Sequence, residues 1–157
     1  MAFLNSVNII GSGLTAQQLR LDIVSENVTN SQTTRTENGD GAYRRKLVVF
    51  EAVSGRDSFR AALARASNGL ISNTEQPTPV AGGVRVTQIV EDEQTQMKMV
   101  YDPTHPDANE DGYLELPNVD MVMEMADAMA ASRAFASNVT AFNTLKSVIS
   151  SGLEIGR

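Results

Sequence analysis

An apolar row of helical spacing near each end of the chain constrains its fold more than any other feature. The rows advance in steps of three and four residues, with Gln17 in the first and Ser132 and Lys146 in the second as interruptions. Such rows predict long amphipathic helices that pack against other helices, and two of them favour polymerisation over catalysis. We take their larger side chains as a predicted assembly seam: Val7, Ile10, Leu14, Leu21, Val24, Val28, Met121, Met125, Phe135, Val139, Phe142, Ile149 and Leu153.

The predicted helices are long for a chain of 157 residues. A compact globule of this length has a diameter of roughly 40 Å. A helix over 118–153 is on the order of 50 Å long, and one over 3–28 roughly 40 Å. Either the longer helix bends, or the helical module is elongated and its helix flanks are covered by other subunits, which is the prediction we prefer.

Composition excludes several classes of protein and site. A net charge of -6, with no basic cluster longer than the three residues 44–46, argues against nucleic-acid binding. The absence of cysteine excludes disulfides and thiolate metal sites. The N-terminus lacks a basic region before its broken apolar run, and no run approaches the roughly 18 apolar residues of a membrane span. We expect no direct membrane insertion and, if the chain is exported, an uncleaved N-terminus.

The middle of the chain has strand-like rather than helical patterning. Strands are predicted at 43–52, 83–90 and 94–101, with a short helix at 57–66 and a polar loop at 67–82. In the third strand, Met97, Met99 and Tyr101 alternate with other residues, which predicts one half-buried apolar face. The fold class is therefore α+β. Residues 1–34 and 115–157 form a coiled-coil-like module of terminal helices, and 35–114 form an inserted β-rich subdomain.

Details at the helix starts lead to further expectations. Gly11 and Gly13 each cost about 1 kcal/mol inside a helix. Either the first helix begins after Gly13, or these small residues let another helix approach closely, and the sequence favours neither. Pro117 and Asn118 are expected to begin the last helix, with Asp120 in its first turn.

The segment DANEDG at 107–112 matches the first six positions of an EF-hand calcium loop. The twelfth position, where a bidentate glutamate is required, is Asn118, and two prolines precede the loop where a helix should enter. We predict a tight turn with Gly112 at positive φ. A soluble calcium-responsive binding module that uses this loop is the alternative function.

His105 is the only histidine and lies between two aspartates, which makes a small hydrolase built around His105 and Asp107 a third hypothesis. No second histidine, phosphate-binding loop or paired serine supports it, and a structural hydrogen-bonding role is favoured. We expect no enzyme activity, cofactor, metal or small-molecule substrate. Met121, Met123, Met125 and Met129 are interpreted as adaptable core filling in preference to a docking surface.

Blocks spread over nearly the whole chain resemble the flagellar basal-body rod proteins. The general pattern of flagellar axial proteins is present in SGLTAQ at 12–17, SENVTN at 25–30 and TT at 33–34. The narrower similarity lies in YRR at 43–45, GVRV at 83–86, VYDP at 100–103, HPDA at 105–108, GY at 112–113, PNV at 117–119, ASRAF at 131–135, NVTA at 138–141 and EIGR at 154–157. Together these blocks are specific to the family.

The resemblance implies a structural subunit of the proximal part of the rod, the drive shaft that transmits torque for motility. It implies export from the cytoplasm through the flagellar type III apparatus and a place in the periplasmic rod. The implied partners are other copies of the chain, other rod proteins, the rod-to-membrane-ring adaptor and the export apparatus. Solution behaviour separates the hypotheses, since an isolated rod subunit should aggregate or be partly disordered, whereas a binding module or hydrolase should be stable alone.

Overall fold

A computed structural model describes residues 2–36, 41–53 and 82–155. Six elements follow in chain order: α1 (Ala2–Thr29), β1 (Lys46–Ala52), β2 (Val84–Glu91), β3 (Lys98–Tyr101), β4 (Tyr113–Leu116) and α2 (Met121–Ile155). Helices at both ends with strands between them confirm the predicted α+β class. The predicted helix at 57–66, and all of the predicted loop except residue 82, lie outside the described residues.

Helix α1 continues through both of its glycines, so a helix start after Gly13 is wrong. A Cβ added to Gly13 would lie 3.0 Å from Nδ2 of Asn138, which confirms a close approach at this position. Gly11 has no neighbour within 4 Å of its added Cβ and is exposed. The helix ends at Thr29, where the amide of Asn30 donates to the carbonyl of Glu26 over 3.0 Å.

Helix α2 begins at Met121, three residues later than Asn118. The Asp120 carboxylate accepts a hydrogen bond of 3.0 Å from the amide of Val122, so Asp120 caps the helix instead of belonging to its first turn. From this cap the helix runs for 35 residues, which corresponds to about 50 Å.

The strands form two separate two-stranded sheets, β1 with β2 and β3 with β4. Strand β4 was not predicted, because its four residues are too few for a strand pattern. It pairs antiparallel with β3, so that Lys98 lies opposite Leu116 and Tyr101 opposite Tyr113. Strands β1 and β3 begin three and four residues later than predicted, since the preceding residues form turns and loops.

The half-buried apolar face predicted for the third strand is wrong. Met99 and Tyr101 are 58% and 65% exposed, and Met97, which precedes β3, is partly buried. The rings of Tyr101 and Tyr113 meet edge to face, with their centroids 5.3 Å apart.

The chain divides into two compact units. Of the described residues, the first unit contains 2–16, 50–53, 82–87 and 135–155, and the second contains 17–36, 41–49 and 88–134. In the first unit, Gly83 has φ +93° and touches α1 so closely that an added Cβ would overlap Oγ of Ser12. That hydroxyl accepts a hydrogen bond of 3.1 Å from the amide of Val84. The domain boundaries drawn from the sequence remain a prediction.

Candidate assembly surface and buried polar cluster

Large apolar side chains on α2 of the second unit face away from its core. Val122, Met125 and Met129 are 75%, 55% and 56% exposed, and their spacing places them on one side of the helix. The side that is buried contains Glu124 and Ala131 instead. Core filling by these methionines is therefore wrong for the isolated chain, because small and polar residues occupy the inward side of the helix.

The predicted seam residues differ in burial, and all thirteen lie in the described parts of the chain. Val24 is the one that is fully buried, at 5% exposure. The partly buried members are Val7, Ile10, Leu14, Leu21, Val28, Phe135, Val139 and Ile149, and the exposed members are Met121, Met125, Phe142 and Leu153. All four exposed members lie on α2, so part of the apolar surface of that helix stays exposed in the described structure. Whether the seam contacts neighbouring subunits stays a prediction.

A buried cluster of polar side chains, which sequence patterning did not reveal, lies in the second unit. We call it the Asn27 cluster; it consists of Asn27, Tyr43, Arg45, Asn118 and Glu124. Asn27, Asn118 and Glu124 are 1%, 4% and 0% exposed. These residues come from α1, from the segment that leads into β1, and from the first turn of α2 and the segment that precedes it. The cluster therefore joins parts of the chain that are far apart in sequence.

The Asn27 side chain forms every hydrogen bond of which an amide is capable. Its Nδ2 donates to the carbonyl of Lys46 over 2.9 Å and to Oε2 of Glu124 over 3.1 Å. Its Oδ1 accepts from the hydroxyl of Tyr43 and from the amide of Lys46, both over 2.9 Å. A satisfied amide of this kind specifies its surroundings, because any displacement leaves buried groups without partners.

Glu124 is fully buried yet paired on both oxygens. Its Oε1 accepts a hydrogen bond of 2.6 Å from Nε of Arg45, and its Oε2 accepts the bond from Asn27. Arg45 also lies 3.8 Å from Asp127, and Asp127 accepts a bond of 3.0 Å from Arg20. The buried negative charge is therefore balanced by a guanidinium and an amide.

The side chain of Asn118 bonds to the backbone before β1, at Arg45, and between β2 and β3, at Asp92 and Thr95. Its Oδ1 accepts from the amide of Arg45 over 2.8 Å. Its Nδ2 donates to the carbonyls of Asp92 and Thr95 over 2.8 and 3.1 Å. The position that an EF-hand would need for a bidentate glutamate is thus occupied by an amide that bonds three backbone groups.

The hydroxyl of Tyr43 is kept neutral by its surroundings. Burial first, and then the nearby carboxylates of Glu26, Glu124 and Glu91, raise the pKa of Tyr43 above its ordinary value. The hydroxyl therefore remains a donor to Asn27 over the whole physiological pH range.

The acidic segment 107–112 is a turn, as predicted. Gly112 has φ +80° and its amide donates to the carbonyl of Asn109 over 2.8 Å. The segment leads into β4 and not into a helix. The Asp107 carboxylate does not cap the turn, since it accepts bonds from Thr34 and Arg35. This geometry gives no support to the calcium-binding alternative.

His105 has the structural role that the sequence favours. Its Nδ1 accepts a hydrogen bond of 3.1 Å from the amide of Asp107, so that nitrogen is not available as a base.

Nearby, hydrogen bonds from the hydroxyl and then the amide of Thr104, with a smaller effect from His105, lower the pKa of Asp102. A cavity of about 230 Å³ lined by Thr34, Arg35 and Asp107 is smaller than typical small-molecule sites.

Among the described residues, no group of three or more His, Cys, Asp or Glu is arranged to hold a metal ion. The helices described here include none that is long and apolar enough to cross a membrane.

Comparison with known proteins identifies similarity at both ends of the chain and along its full length. The family model for the flagella basal body rod protein matches residues 7–35, and the model for the C-terminal region of the flagellar basal body rod FlgEFG proteins matches 110–155. The flagellar basal-body rod protein FlgC of Bacillus subtilis is 40% identical over 160 residues, which is the whole of both chains. FlgC of Escherichia coli O6:H1 and FlgC of Salmonella typhimurium are 36% and 34% identical, again over the whole of each chain.

Proposed function

The chain belongs to the FlgC family of flagellar basal-body rod proteins and is a structural subunit of that rod, and we propose that it assembles through the apolar faces of α1 and α2. The observation that carries this proposal is the exposure of Val122, Met125 and Met129 along one side of α2. Adjacent large apolar groups on a soluble protein mark surfaces that are covered by a partner. For α1 the proposal rests on the apolar row in the sequence, since its seam residues are buried or partly buried.

We further propose that its partners are other copies of the chain and other rod proteins, together with the rod-to-membrane-ring adaptor and the type III export apparatus. In this proposal the subunit is made in the cytoplasm, exported without a cleaved signal peptide and placed in the periplasmic part of the rod. It performs no chemistry. The similarity to flagellar basal-body rod proteins supports this last point.

A charge placed on the exposed side of α2 tests the assembly proposal. Met125→Asp would place a carboxylate in an apolar contact, at a cost of several kcal/mol in the assembly but little in the isolated chain. We expect loss of swimming and loss of the subunit from purified basal bodies, with a normal unfolding temperature. Ala130→Asp is the matched control, since Ala130 is also exposed on α2 but on another side of the helix.

The two variants together give a clear decision. If bacteria with Met125→Asp swim as well as those with Ala130→Asp, the exposed side of α2 is not an assembly contact. If both variants lose motility equally, the effect is not confined to the apolar side. Aspartate substitutions at Leu21 and Phe142, two residues of the predicted seam, test the proposal at further positions of α1 and α2.

A further inference from the structure

In the second unit, the apolar side chains that α2 turns towards α1 have few features that would fix the axial alignment of the two helices. On the α2 side the apolar groups facing inward are small, Ala128 and Ala131. Small side chains permit close approach but form no large knob that fits only one hole. The apolar side chains of α2 in this unit therefore do little to select against a displacement of one turn, about 5.4 Å.

The polar contacts at the same place do not tolerate such a displacement. Asn27 uses both donors and both acceptors in the observed alignment, and Glu124 is paired on both oxygens. One turn of displacement would leave the Glu124 carboxylate buried without Asn27. Buried polar groups that lose a hydrogen-bond partner are disfavoured even while Arg45 still pairs with Glu124, and single buried polar residues are known to fix the register of packed helices.

We propose that the Asn27 cluster is a register lock, which selects one axial alignment of α1 against α2 in the second unit. A buried charge pair contributes little net stability compared with apolar side chains of similar volume, so alignment is the main effect of the cluster. The inference rests on the proposed function in one respect. The alignment fixes where the exposed side chains of α2 are presented, and we propose that these contact neighbouring subunits.

The absence of cysteine makes alignment measurable by cross-linking in the purified full-length chain. Arg20→Cys with Asp127→Cys reports the observed alignment, because these side chains are 3.0 Å apart. Met123→Cys or Ala130→Cys in place of Asp127→Cys reports a displacement of about one turn in either direction. A short bismaleimide joins each pair, and mass spectrometry gives the yields. With an intact cluster we expect the Arg20–Asp127 pair to be favoured by roughly a hundredfold.

A conservative pair of substitutions then perturbs the lock. Asn27→Asp places a second carboxylate where the amide lies 3.1 Å from Glu124, so the displaced cross-links should rise by about tenfold or more. Adding Glu124→Gln restores an amide opposite a carboxylate with the roles exchanged, and should return the original cross-link in part, because the bond from residue 27 to the carbonyl of Lys46 stays lost. Ser25→Asp, at an exposed position of α1, is the control that should leave the yields unchanged.

Two outcomes would overturn the proposal. The first is an Asn27→Asp chain that keeps its original cross-link. The second comes from replacing the cluster with apolar groups, Asn27→Leu, Arg45→Met and Glu124→Leu together. The lock predicts a folded chain with mixed alignments, whereas a single alignment or loss of folding would assign the cluster to stability. These yields come from the isolated chain, so they do not depend on the rod-assembly test of Met125→Asp.

Discussion

The substitution Asn118→Asp separates the structural role of residue 118 from the calcium alternative. The change preserves the shape of the side chain and the oxygen that accepts from the amide of Arg45. It replaces the two hydrogen bonds donated to Asp92 and Thr95 by contacts between a carboxylate and two carbonyl oxygens. Each lost bond costs about 1 kcal/mol, and the buried carboxylate adds a further cost, so we expect about 2–4 kcal/mol of destabilisation. For a domain of this size, that lowers the unfolding temperature by about 5–15 °C.

Circular dichroism melting of the full-length chain, with and without millimolar calcium, measures this effect. The EF-hand alternative predicts the opposite result, since a carboxylate at the twelfth position should improve calcium binding and raise the unfolding temperature when calcium is present. Asn143→Asp, at an exposed position of α2, is the matched control. An Asn118→Asp chain that melts with the control, or that calcium restores, would refute the reasoning.

Three further predictions follow from hydrogen bonds in the two units. Tyr43→Phe should lower the free energy of unfolding by about 1 kcal/mol at neutral pH. Because the pKa of Tyr43 in the folded chain is raised above 10.0, the tyrosine's contribution to stability is lost as the pH rises above that value. Urea titrations of both chains measure this, and a difference in unfolding free energy that stayed constant up to pH 11 would contradict it. Thr104→Val should raise the pKa of Asp102 towards its ordinary value, and an unchanged NMR titration of Asp102 would show that the hydroxyl does not matter. Gly83→Ala should destabilise the first unit by about 2–3 kcal/mol, through its positive φ and the displaced hydroxyl of Ser12. Ser12→Ala, which removes only the hydroxyl, should destabilise the first unit less than Gly83→Ala, as measured by amide hydrogen exchange. Equal destabilisation by the two substitutions would argue against backbone strain at Gly83.

Some features of this fold follow from sequence patterning because they depend on neighbours in the chain. The apolar rows predicted both helices, and the order of acidic and glycine residues predicted the turn with Gly112 at positive φ. The residues on the inward sides of the helices could not be predicted from the sequence, because an apolar pattern does not identify a buried carboxylate such as Glu124. Asn27 carried a weak signal, because it belongs to a block shared with the flagellar axial proteins. Its partners nevertheless depend on tertiary contacts.

The partners of Asn27 also set the order in which this chain completes its fold. Asn27 and Glu124 are separated by 97 residues, and Arg20 and Asp127 by 107. In any chain that emerges N-terminus first, α1 is present long before the residues that satisfy its buried side. Isolated helices are marginal in water, and contacts over such separations form slowly because the intervening chain must first be closed into a loop. The contacts of Asn27 with Glu124 and of Arg20 with Asp127 therefore cannot form until most of the chain has emerged.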